Sequence, residues 1–98
     1  MNQIIIDFMT NDFTDVATST SSLGTHYVSG IMRGDRYMIS KQKFYIITKR
    51  IDGTDKYIAV CDGIAEVCNI LMAIKNNDRI VANDKAKFLA SFTGFDTI

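Results

Sequence analysis

Apolar positions recur with a period of two through the middle of the chain and with a period near 3.6 towards its end. Between Thr25 and Cys61, the apolar runs His26–Met32, Tyr37–Ile39, Phe44–Ile51 and Lys56–Cys61 alternate with short turn signals at Arg33-Gly34-Asp35, Ser40–Gln42 and Asp52-Gly53-Thr54-Asp55. Runs of this length with such short connections predict an antiparallel meander. The last connection is the strongest hairpin signal, because Gly53 supplies the positive φ that a tight turn needs.

Past Asp62, a residue suited to N-capping, the period lengthens. Ile64, Val67, Cys68, Leu71 and Met72 then share one face of a helix over about 63–76. Ile70 and Ile74 widen that stripe beyond the arc one surface can cover. The final helix is the expected cover, and the two isoleucines are also candidate contacts between copies of the chain, together with the unpaired sheet edges. A final helix over about 84–93 starts at Asn83, carries Phe88, Leu89 and Phe92, and stops at Gly94, with Phe95 expected to fold back towards Leu89 or Ala90.

The first segment is ambiguous in period. Ile4, Ile6 and Phe8 alternate as in a strand, whereas Ile5, Phe8, Met9, Phe13 and Val16 fit helical spacing. The β-branched isoleucines and the Thr, Asn and Asp that follow favour the strand. Residues 10–25 are rich in Ser and Thr and form either a loop or a weak strand around 14–19. The expectation is a single domain over 1–98 of the α+β class: an antiparallel sheet of four or five strands, centred on 26–61, with two C-terminal helices packed on one face.

Composition adds exclusions. The chain has 98 residues, 47% hydrophobic and 22% charged, with a formal net charge of zero, so bulk electrostatics favours neither nucleic acid nor a membrane surface. No apolar run reaches the roughly 18 residues of a membrane span, and the apolar start has no basic flank, so a cytoplasmic protein is expected. Cys61 and Cys68 match no zinc spacing, His26 is the only imidazole, and no glycine pattern cradles phosphate. No metal, cofactor or catalytic set is implied, and the chain is expected to be no enzyme. The abundance of Ile, Asn, Asp and Lys, with no proline, resembles the short reading frames of AT-rich phage genomes.

Charge is unevenly spread. Residues 1–30 carry three aspartates and no Lys or Arg, residues 31–60 carry seven basic and three acidic side chains, and residues 61–98 carry four basic and five acidic ones. Strand alternation through the third apolar run groups Lys41, Lys43, Tyr45, Ile47 and Lys49 on one face, with Phe44, Ile46 and Thr48 turned to the core. Arg33, Arg36 and Lys56 would extend that basic face. The expected function is a non-enzymatic interaction protein, of the kind a phage uses to bind and block a host protein or a defence ribonucleoprotein complex. The alternative is a nucleic-acid-binding regulator using the same face.

Overall fold

A computed structural model describes residues 1–98. Its elements run α1 (Gln3–Asp12), β1 (Thr14–Thr20), β2 (His26–Met32), β3 (Asp35–Lys41), β4 (Tyr45–Ile51), β5 (Thr54–Cys61), α2 (Ile64–Lys75) and α3 (Asp84–Thr93). The five strands form one antiparallel sheet in the order β1-β2-β3-β4-β5. The chain is thus an α+β fold built on a meander, as the alternating pattern predicts.

Two of the hairpins turn on paired left-handed residues. Arg33 and Gly34 have φ of 50° and 82°, and Asp52 and Gly53 have φ of 53° and 78°. Two successive positive φ values give the turn whose twist matches that of the flanking strands. Arg33 also ties this turn to α2, because its guanidinium donates to the carbonyls of Ile74 and Lys75 in the last turn of that helix.

The first segment is a helix, not a strand. Asn2 caps it by accepting from the Ile4 amide at 2.8 Å, and Gln3 bonds Asp7 one turn on. β-Branching costs a helix only a few tenths of a kcal/mol per residue. Burying Ile5 and Met9 completely, with Phe13 beyond them, outweighs that cost. The stretch left open between loop and strand is β1, paired to β2 with a bulge between Thr14 and Ala17.

The main core lies between one sheet face and the helices α1 and α2. Ile5 and Met9 of α1 and Val67, Leu71 and Ile74 of α2 pack on Val28, Tyr37, Ile39, Tyr45, Ile47 and Ile58. Ile74 is 1% exposed and Ile70 packs partly against the same core. The apolar width expected to meet the final helix or a second copy is covered by α1 instead, the helix that the β-branched run had disguised.

The two C-terminal helices divide between the faces of the sheet. Ile46 and Val60 are cross-strand partners lying between the pairs Tyr45–Cys61 and Ile47–Ala59. They point away from the main core. On that second face α3 seats Ala86 against Val60, with Ile46, Tyr57 and Leu89 around them. The cap of α2 is the backbone of Gly63, without a side-chain bond, and Asp62 pairs with Lys85 of α3 instead. α3 ends as predicted on Gly94, at φ 80°, whose amide donates to the Ala90 carbonyl at 3.0 Å. Phe95, however, sets its edge on Tyr57 with ring centroids 6.1 Å apart, because the chain continues along β5.

Candidate functional site

The basic face expected from the sequence does not form. Tyr45 is 7% exposed and Ile47 is 0% exposed, both inside the main core. Alternation does set Tyr45, Ile47 and Lys49 on one side of β4, with Lys41 opposite Tyr45 on β3, but that side is the one α1 and α2 cover. Ile46 and Thr48, expected to turn to the main core, stand on the second face of the sheet instead.

Most of the cations named on that face are engaged. Lys49 reaches Asp35 at 3.4 Å, and Lys56 reaches Asp96 at 2.9 Å. Lys41 donates to the carbonyls of Gln42 and Lys43 and lies 4.9 Å from the centroid of the Tyr45 ring. Arg33 caps α2, and Arg36 stands on the second face, 3.5 Å from the Ser29 hydroxyl. Lys43 lies over the ring of its neighbour Phe44.

What the fold does leave open is a groove on the second face. Phe44, Ile46 and Val60 of the sheet side and Phe88 and Leu89 of α3 line it, Asp84 and Lys85 complete the lining, and its volume is about 660 Å³. Phe88 is 69% exposed, and Phe92, one turn further, is 81% exposed. Their rings lie 6.1 Å apart, so they form one outward aromatic ridge beside the groove. Pairing an apolar floor with an exposed aromatic ridge leaves a contiguous patch in water, which soluble surfaces seldom keep without a use.

The rim is charged and held in place. Lys85 contacts both the Asp62 carboxylate and, at 5.9 Å, the Phe44 ring. That hydrogen bond to Asp62 raises the Lys85 ammonium above its ordinary range. Lys43 lies over the same ring at 5.9 Å. Phe44 is therefore the centre of a cation-flanked apolar site.

From the sequence, Phe44 reads as core, and Phe88 and Phe92 as the buried face of the last helix. A signal that separates them is nonetheless present. Ala82 and Ala86, with Leu89, mark a second stripe of small and aliphatic residues, and that is the side turned to Val60 and Tyr57 of β5.

Groups with reactive potential lie apart. His26 sits at the β2 start with Nδ1 3.1 Å from the Thr20 hydroxyl. Burial pushes the Cys61 thiol up to about 11, with Glu66 and Asp62 adding to the shift, so at neutral pH it is a protonated core group and a poor nucleophile. No three His, Cys, Asp or Glu side chains gather where they could hold a metal ion. No helix is long and apolar enough to cross a membrane. Neither the known protein families, nor the curated proteins, nor the solved structures compared with the chain include a match.

Proposed function

We propose that the protein is a small interaction domain that seats apolar side chains of a partner protein in the groove between α3 and the β4–β5 face. The single observation that carries this reading is the joined apolar surface of Phe44, Phe88 and Phe92 beside an open groove floored by Ile46 and Val60. Aromatic anchors ringed by charge are the usual energetic centre of a protein interface. Lys43 and Lys85 at the rim favour a partner segment whose apolar anchors are flanked by acidic groups.

In its finer form the reading takes the chain for a phage-encoded inhibitor acting in the host cytosol. It would block a host protein or a defence complex by occupying its surface, with no turnover. The biased composition supports this form. Direct nucleic-acid binding has less support, since five ion pairs engage Lys49, Arg50, Lys56, Lys75 and Lys85.

The test compares capture from host lysate by the intact chain, by the Phe88→Asp/Phe92→Asp variant and by the Lys41→Glu/Lys43→Glu variant, each with and without nuclease. The groove reading expects the aspartate pair to weaken capture about tenfold or more and nuclease to change nothing. Capture that survives the aspartate pair would sink it. Capture lost on nuclease treatment or with the glutamate pair alone would favour the nucleic-acid reading.

A further inference from the structure

The two edges of the sheet are finished in different ways. On β5 the outward peptide groups are occupied by the chain itself: Asn83 bonds both the amide and the carbonyl of Val60, while Tyr57 bonds the Asp96 carbonyl and the Ile98 amide. On β1 no element covers the outer side, and every residue but Val16 is exposed.

The hairpin fixes which β1 groups face outward. Ser21 donates to the Thr25 carbonyl at 2.9 Å, so Ser21 and Thr25 are a hydrogen-bonded pair. Bonded and non-bonded pairs alternate along an antiparallel ladder, which turns Ser19 and Ala17 towards β2 and leaves Thr18 and Thr20 with free amides and carbonyls. The usual guards of an exposed edge are lysine, proline or a bulge. Ala17–Thr20 has none of them, because the bulge lies upstream at Asp15 and Val16.

We infer that β1 pairs antiparallel with β1 of a second copy of this chain, across a two-fold axis at Ser19. Thr18 of each copy then stands opposite Thr20 of the other, and their free groups make roughly four backbone hydrogen bonds. The facing side chains suit each other: Thr opposes Thr, a favourable cross-strand pair, and Ser19 meets Ser19. Asp15 is the only charge in β1, and this register sets it across from the uncharged hairpin tip, so no like charges meet. The tip carries Leu23, 86% exposed, and lies alongside the start of the other copy's β1. The product is one continuous sheet of both copies, with the two α3 grooves open at its far ends.

Sedimentation velocity over a range of concentrations tests the pairing. The intact chain is expected to sediment at the mass of two chains. Thr18→Pro, which removes only an outward amide, and Ser19→Lys, which sets two like charges at the axis, are each expected to give the mass of one with unchanged far-ultraviolet circular dichroism. Mixing Ser19→Lys with Ser19→Asp is expected to restore the double mass, an outcome that a misfolded variant could not give. A monomeric intact chain, a dimer in both single variants, or a dimer lost in Phe88→Asp/Phe92→Asp would each overturn the inference.

Discussion

The side-chain amide of Asn83 holds the peptide group of Val60 from both ends. Its Nδ2 donates to the Val60 carbonyl at 2.9 Å, and its Oδ1 accepts from the Val60 amide at 3.2 Å and from the Ala86 amide at 2.9 Å. One residue thereby imitates a sixth strand on the β5 edge and caps α3. Asn83→Ala removes the cap and strands a part-buried amide and carbonyl. A cost of about 2–4 kcal/mol follows, measurable as a lower urea midpoint. Asn83→Asp keeps the acceptor and loses the donor, so it falls between the two.

Gly30 is the floor on which the first helix rests. A Cβ there would meet the Phe13 Cβ at 2.9 Å, the Met9 Cε at 3.2 Å and the Val16 Cγ2 at 3.3 Å. Met9 can swing aside, but Phe13 is held by its edge contact with Tyr37, with ring centroids 5.9 Å apart. Gly30→Ala is expected to cost about 1–3 kcal/mol by overpacking. Hydrogen exchange should quicken first in α1 and β1, because those elements must shift to make room.

The same contact explains what the sequence could and could not disclose. Turn chemistry and alternation marked β2 to β5, since Arg33-Gly34 and Asp52-Gly53 are local signals that need no tertiary partner. α1 was hidden because its three isoleucines favour extended backbone, and what selects the helix is a surface assembled from β2, in particular the bare backbone of Gly30. The groove was hidden for a related reason. Phe44 reads as strand core until α1 and α2 are known to cover the opposite face of the sheet, and Phe88 reads as core until α3 is known to seat Ala86 and Leu89 against β5.

Cys61 makes stability depend on alkaline pH with a definite sign. The thiol ordinarily ionises near 9.0 and in the fold near 11, chiefly through burial, with the negative charges of Glu66 and Asp62 contributing. Between those values the unfolded chain gives up its proton while the folded chain keeps it, so the stability this group contributes is full below about pH 9 and lost as pH rises towards 11. The loss is on the order of 2 kcal/mol. Cys61→Ala should be less stable near neutrality, through its cavity, yet show a shallower fall of the urea midpoint over that alkaline range. Parallel profiles for the two proteins would assign the alkaline loss to other groups.

Thr48 offers the converse case, a substitution that should strengthen the fold. It is 6% exposed, and its Oγ1 is buried without any hydrogen-bond partner. Met38 and Tyr57 flank it on the neighbouring strands, and neither offers the hydroxyl a contact. Such an orphaned group has lost its water and gained nothing, a deficit of about 1–3 kcal/mol. Thr48→Val keeps the shape and the β-branching and removes the deficit, so a gain of about 1 kcal/mol is expected, which in a domain of this size raises Tm by about 4–8 °C. Thr48→Ser keeps the hydroxyl, drops the methyl and should lose stability. Thr18→Val, made on the exposed edge strand and read below the concentration at which copies associate, should leave Tm where it was. A valine at 48 that lowers Tm would mean that the hydroxyl has a partner after all, and the ordering of Val, Thr and Ser at this one position separates that case from simple packing.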